Sequence, residues 1–304
     1  MNKKRIFSSL VVLIFVSNNL FAAAGTTVFN FLKLPKNAEQ AALANLTTFN
    51  TNLSFVNPAV LGFADHYNIQ GSKAIHFQNT GYNSFNFAMP YNDFGFSLSY
   101  FGFDYGKFDG YLEDSNGDYI ENGTFGAADS CMQVSAGYRI RDILSLGAGV
   151  KYIFTNIDNV KMNGLAFDLS AFLLLSDKWS LALGLENLGT KVDGYMLPSN
   201  VYLSYTNKII TPCQLGLELK SFFDNTMWLK TAIEVGVSEN FVLRGGYNWA
   251  LTNSNSSLGS WYQRNLSLGF GLKINVIRII RIDYAWLPYG DLGNCNIISL
   301  KVVF

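Results

Sequence analysis

Arg264 to Lys273 read RNLSLGFGLK, and every second residue is large and apolar: Leu266, Leu268, Phe270 and Leu272. Asn265, Ser267, Gly269, Gly271 and Lys273 lie between them. That period of two is a strand with one greasy face and one small, polar face. The pattern recurs. Phe94, Phe96, Leu98 and Tyr100 alternate with Gly95, Ser97 and Ser99, and Trp179, Leu181, Leu183 and Leu185 with Ser180, Ala182, Gly184 and Glu186. Leu144 to Phe154 repeats it, with Ile153 the one apolar residue in the polar set. In a soluble sandwich each greasy face needs an equally large partner face. Here the opposite face is small or polar in nearly every strand, so no second set of large inward residues is expected. The alternative is a wall whose large side chains meet lipid.

The segments of this kind fall near 67–76, 81–90, 93–104, 127–140, 143–156, 162–175, 178–188, 198–207, 211–222, 226–237, 240–249, 262–273, 276–287 and 295–304. They make an even number, and many reach the ~9–11 residues that a tilted strand needs to cross a bilayer. Links after even-numbered segments are tiny, as at Arg141-Asp142 and Ser176-Asp177. Links after odd-numbered ones are mostly longer, as at 105–126, 189–197 and 250–261. Short turns on one side and long loops on the other mark an outer-membrane barrel. The expected fold is therefore all-β: a 14-stranded antiparallel transmembrane β-barrel over 66–304, with its N-terminus on the short-turn, periplasmic side. Arg278 breaks the rule that charge avoids the apolar face, which predicts a place at the interfacial rim or a bulge there.

Composition agrees. Charged residues are 14% and aromatic residues 15%, against roughly 25% charged in ordinary soluble domains. Lys+Arg and Asp+Glu are 22 each, so nothing steers the chain towards nucleic acid. Residues 1–24 have the form of a secretory signal peptide: Lys3, Lys4 and Arg5, an apolar run from Ile6 to Val16, and Ala22-Ala23-Ala24 before Gly25. The chain ends IISLKVVF, with Ile298, Leu300, Val302 and Phe304 on one face. That ending resembles the signal by which barrel assembly machinery recognises its clients.

Catalytic and metal chemistry find little support. Cys131, Cys213 and Cys295 are odd in number and far apart. His66 and His76 are the only histidines, and no serine spacing supports a Ser–His pair. Asp114-Ser115-Asn116-Gly117-Asp118 departs from a calcium loop and reads as a hairpin tip, with 120–126 as loop. No enzyme and no cofactor are expected. The polar lumen positions are Lys151, Glu186, Glu218, Lys220, Lys230, Glu234, Arg244, Lys273, Arg281 and Asp283. Both signs are present, which predicts cross-strand pairs that stiffen the wall and anchor whatever lies inside.

Residues 25–65 do not alternate. Pro35 suits the first turn of a helix whose apolar face is Ala38, Ala41, Ala42 and Leu43, and Asn57-Pro58-Ala59 begins another. Such a segment can fold into the lumen as a partly helical plug. GTTVFNFLKLPKNAEQAALANLTT, FVNPAVLGF and DYAWLPYGDLGNCNIISLKVVF resemble the PorV/PorQ family of outer-membrane proteins, relatives of the FadL-type fatty-acid transporters. The family usually has Gly-Ala-Arg and Gly-Gly around the plug helix, where this chain has Asn37-Ala38-Glu39 and Ala44-Asn45. The resemblance implies a plugged barrel in outer-membrane lipid, with Asn57, Pro58 and Ala59 as plug motif. It also implies one of two roles: passage of small hydrophobic compounds, or binding and shuttling of exported protein cargo in type IX secretion.

Overall fold

The structure is a computed structural model that describes residues 27–49, 56–210, 212–224, 226–251 and 265–304. The expected leader and most of the link 250–261 lie outside them.

Fourteen antiparallel strands close into one barrel, in sequence order, with the last paired to the first. They are β1 Asn68–Ile75, β2 Gly81–Tyr91, β3 Phe94–Glu113, β4 Tyr119–Arg141, β5 Leu144–Ile157, β6 Val160–Ser176 and β7 Trp179–Gly189. The second half is β8 Asn200–Ile210, β9 Cys213–Phe222, β10 Met227–Ser238, β11 Phe241–Ala250, β12 Leu266–Asn275, β13 Ile279–Pro288 and β14 Asn294–Val303. β14 closes the wall, with Ile69 opposite Val302 and Gly71 opposite Leu300. Among the described residues no helix is long and apolar enough to cross a membrane.

The wall is inside out. Leu98, Val134, Val150, Leu169, Leu217, Leu268, Ile298 and Leu300 stand on the exposed outer surface, and Val134 alone keeps 61% of its area open. Their neighbours Ser97, Ser99, Gln133, Ser135, Asp168, Glu218, Ser267, Ser299 and Lys301 are buried. Aromatic residues ring the short-turn end: Tyr67, Tyr91, Phe94, Tyr138, Trp179 and Phe304 are all exposed there, with Phe94 stacked on Tyr138 at 4.5 Å. Rings with one apolar body and one polar edge suit a membrane boundary.

Arg278 is exposed in the turn 276–278 between β12 and β13, with its guanidinium 5.2 Å from the Phe304 ring. β13 starts three residues after the expected 276, so the charge sits at the rim.

The link 105–126 is not a loop. β3 and β4 run on past their neighbours and pair only with each other, from Gly106 opposite Ala127 to Glu113 opposite Tyr119. Their Gly, Asp and Asn content hid the pairing, because a ribbon outside the wall needs no lipid face. The tip is the hairpin turn expected at 114–118: the Asp114 carboxylate accepts the Asn116 and Asp118 backbone N–H groups at 2.8 and 2.9 Å, and Gly117 takes a φ of 86°.

The expectation of no large inward residues is corrected. Tyr82, Phe101, Phe103, Ile153, Phe172, Tyr202 and Ile297 are buried within the barrel. They meet the segment that precedes β1. Phe31 stacks on Phe101 at 5.6 Å, and Phe63 meets Phe172 edge-on.

That preceding segment begins at the other end from the one expected. Thr27 bridges Met196 and the Val28 N–H donates to Met196 O at 3.0 Å, in the long link between β7 and β8. The chain then descends to Phe49, whose carbonyl accepts from Gln214 near the β8–β9 turn, and β1 starts at the short-turn end. So β1 begins where the alternation places it, while Thr27 lies at the long-loop mouth. The helix, α1 Ala38–Ala42, starts later than Pro35 suggests because the Asn37 side chain caps it, accepting the Gln40 N–H at 2.8 Å.

In bilayer refolding, Val134→Arg at the centre of a membrane strand should cost about 2–4 kcal/mol. An equal stability by denaturant titration in vesicles would refute the outward assignment of that face.

Candidate functional site

Residues before β1 touch the inner face of the wall. Peptide groups inside a barrel still need partners, and the wall supplies them. Ser299 Oγ accepts the Ala38 N–H at 2.7 Å. Ser267 Oγ accepts from Ala44 N and donates to Ala42 O, both at 3.1 Å. Ser204 donates to Thr48 O at 2.9 Å, and Ser170 Oγ accepts the Ala59 N–H at 3.0 Å. Wall glycines let the segment's backbone come close. A Cβ on Gly95 would overlap Leu61 O, one on Gly147 would overlap Ala59 N, and one on Gly246 would overlap Ala44 N.

Of the sequence-derived motif, Asn57 caps the 3-10 turn Pro58–Phe63 by accepting the Ala59 N–H at 3.0 Å. Its amide also donates to Thr48 Oγ1, tying the two halves of the segment together. Pro58 and Ala59 lie against Gly137 and Gly147. Ile298, Leu300 and Phe304 are exposed on the outer face, and Val302 half-buried beside them.

Eight of the ten polar lumen candidates form ion pairs inside the barrel, in four separate groups. Lys151 reaches Asp168 Oδ2 at 2.7 Å and Asn187 Oδ1 at 2.7 Å. Lys220 pairs with Glu186 at 2.7 Å and Lys230 with Glu218 at 3.2 Å. Arg244 gathers Glu234 at 2.7 Å, Asp283 at 2.5 Å and Glu39 at 3.7 Å. Lys273 and Arg281 lie opposite each other across β12 and β13, with the Arg281 charge felt at Asp283.

The segment meets these groups at several points. Glu218 accepts the Thr47 N–H at 2.6 Å, Lys230 donates to Asn45 O at 2.6 Å, and Glu39 faces Arg244. Burial pushes the Lys36 ammonium well below its usual range, and nearby Lys151 adds to this. It donates to Leu32 O at 3.0 Å and lies 3.7 Å over the Phe101 ring. At the mouth, Lys33 meets Asp224 at 2.5 Å. Burial favours the neutral acid, but hydrogen bonding and charge from Lys33 outweigh it and hold Asp224 low.

Sequence reasoning missed Asp168, Lys301, Lys33, Lys36, Glu39 and Asp224. The first two were within reach of the parity rule, since each lies between outward apolar residues. Of the other four, Lys33, Lys36 and Glu39 lie on a segment without a period, and Asp224 takes its partner from that segment.

Cavities lie towards both ends of this segment. At the long-loop end, about 330 Å³ is lined by Leu34, Phe222, Trp228, Leu266, Leu287 and Tyr289, with Lys33, Lys230 and the amides of Asn45, Asn248 and Asn265 among them. A smaller one of about 100 Å³ lies at the short-turn end, between Phe49, Phe172, Leu174 and Trp179. Leu43, Ala44, Leu46, Thr47, Thr48 and Phe49, all fully buried, lie between them. Gly95 and Gly102 mark no gap in the wall, because the β2–β3 ladder is continuous from Gly81 opposite Asp104 to Tyr91 opposite Phe94.

His76 sits in an aromatic setting. Its Nδ1 meets Thr80 Oγ1 at 3.0 Å, and its ring lies among Phe77, Phe103 and Tyr289. Burial lowers it to about 4, so it is a neutral ring at pH 7. Among the described residues no cluster of His, Cys, Asp or Glu is placed to hold a metal.

No family model and no curated protein matches the sequence. Solved structures do match its fold. A FadL homologue of Pseudomonas aeruginosa superposes with a TM-score of 0.62 at 14% identity, over 90% of this chain and 99% of that one. The Ralstonia pickettii toluene transporter TbuX gives 0.61 at 12%, over 91% and 98%. The monoaromatic hydrocarbon channel CymD gives 0.63 at 11%, over 91% and 98%.

Removing the guanidinium in Arg244→Ala leaves Glu39, Glu234 and Asp283 facing one another. The loss should be about 3–5 kcal/mol, read by denaturant titration, with part of it restored by adding Glu39→Gln. A neutral effect would mean that Arg244 does not anchor the segment.

Proposed function

We propose that this protein is an outer-membrane transport barrel of the FadL type, in which the segment 25–65 acts as a plug and small hydrophobic compounds are the cargo. The observation that carries this is the apolar cavity of about 330 Å³ at the long-loop mouth. It is a concave, aromatic-lined chamber of the size small ligands occupy. It opens onto a lumen closed by a segment held through hydrogen bonds and ion pairs, the kind of contact that can be exchanged for water. The wall resembles that of proteins described as toluene and monoaromatic hydrocarbon transporters, which supports the same reading. The PorV/PorQ likeness of the sequence fits the same reading, and an exported leader and the terminal Phe304 fit a client of barrel assembly machinery.

The mechanism follows from the order of the chambers. A compound leaving the outer surface loses apolar contact with water on entering between Phe222, Trp228, Leu266 and Tyr289. Onward passage needs Leu43–Phe49 to shift, which breaks the bonds from Glu218 to Thr47 and from Gln214 to Phe49. Those polar groups stay solvated as the path opens, while Asn57 and the turn Pro58–Phe63 keep the segment tethered to β4 and β5.

Reconstituted vesicles should take up labelled toluene or a fatty acid faster than protein-free ones. In a background without Cys131, Cys213 and Cys295, a staple between Ala44→Cys and Ser267→Cys should abolish the gain until reductant is added. No uptake of either compound would overturn the transport reading. Uptake indifferent to the staple would overturn the plug as gate.

A further inference from the structure

The ribbon beyond the barrel rim has no role in the reading above. From Gly106 to Glu113 and from Tyr119 to Gly126, β3 and β4 pair as strands only with each other: the β2 ladder ends at Gly81 opposite Asp104 and the β5 ladder at Ile157 opposite Ala127, with one last bond at the base from Asp158 N–H to Gly126 O at 3.2 Å. About eight residues a side at ~3.3 Å each carry it roughly 25 Å past the wall. Its surface is apolar and open. Tyr119 is 77% exposed and Tyr111 61%, and Leu112, Ile120 and Phe108 are exposed as well. Register places Leu112 opposite Ile120 and Phe108 opposite Phe125, the latter rings stacked at 5.5 Å.

Its charge is one-sided. Asp109, Glu113, Asp114, Asp118 and Glu121 face a single base, Lys107, in a chain whose 22 acidic and 22 basic residues balance overall. A two-stranded ribbon alone is marginal in water, and a third strand makes such a sheet independently stable. An edge with free N–H and C=O groups is a template for that strand.

We propose that this ribbon docks an extended, basic segment of another protein, added as a strand along an open edge. Exposed Tyr, Leu and Ile side chains supply apolar contact, and the five carboxylates select for Lys and Arg. A second copy of this chain is disfavoured because it would set like charges against each other, and an anionic lipid surface is repelled for the same reason. The two bulges, at Asp104/Gly106 and Asp109/Tyr111, break the edge into short stretches, which limits pairing to segments that also match in charge.

The test uses the whole protein in zwitterionic-lipid nanodiscs and two probes, decapeptides of alternating Lys and Leu and of alternating Glu and Leu. The Lys peptide should bind at least about tenfold tighter, weaken with salt, and lose its advantage in Asp109→Lys/Glu113→Lys/Glu121→Lys. Equal binding of both peptides would overturn the proposal. So would undiminished binding to a barrel in which 106–126 is replaced by Asn-Gly, since that binding belongs to lipid or wall. Heat-shifted gel mobility checks that each variant retains its barrel. In intact cells, benzoylphenylalanine in place of Tyr119 should crosslink to a Lys- or Arg-rich segment of another protein. Adducts only with lipid or with a second copy, or no adduct, would refute it. The outcome is independent of uptake, so transport can fail while docking stands.

Discussion

Every buried peptide group must find a hydrogen-bond partner, and this barrel meets that demand by making its wall small where the chain's own N-terminal segment lies. Ser299, Ser267, Ser204 and Ser170 each bond to a backbone group of that segment. Gly95, Gly147 and Gly246 stand where a methyl group would collide with it. The glycine and serine on alternate positions of the strands thus have two causes. They are the side that does not face lipid, and they are the floor on which a second layer is laid. The aromatic residues inside, Phe101, Phe172 and Tyr202 among them, fill what the backbone leaves open.

Charge follows the same division. The large outer residues leave acids and bases to the interior, where alternation between neighbouring strands sets Lys230 opposite Glu218 and Glu234 opposite Arg244. Such pairs are costly to break singly and contribute little beyond well-packed apolar contacts. Their value here is positional: Arg244, Glu218 and Lys230 each hold both wall and segment. The apolar chamber at the mouth sits just above that polar layer, so a ligand there would press on contacts that water can replace.

Strand number, order and face were legible because a wall with one large apolar face and one small polar face imposes a period of two on every strand, and a period survives any exchange of one apolar residue for another. The ends of strands were legible to within a few residues, since tight turns such as Ser176-Asp177 carry their own residue types. What escaped had no period. The β3–β4 ribbon is wet on all sides, so Lys107, Asp109 and Asn122 read as loop although they lie in paired strands. Inward aromatic residues were hidden by their rarity, with Ile153 the one visible sign. The course of the segment inside the lumen was hidden too. Asn37 as a helix cap was readable in principle, but the meeting of Thr27 with Met196 depends on a fold that brings residues far apart in the chain to one mouth. Glu39 and Lys33 reveal their partners only through that path.

The central claim is that lipid touches the large side chains while the small ones touch protein. Spin labels placed one at a time from Leu266 to Asn275, in protein reconstituted into vesicles, test it most directly. Oxygen accessibility should peak at 266, 268, 270 and 272 and fall at 267, 269 and 271. The opposite phase, or no period at all, would contradict the account.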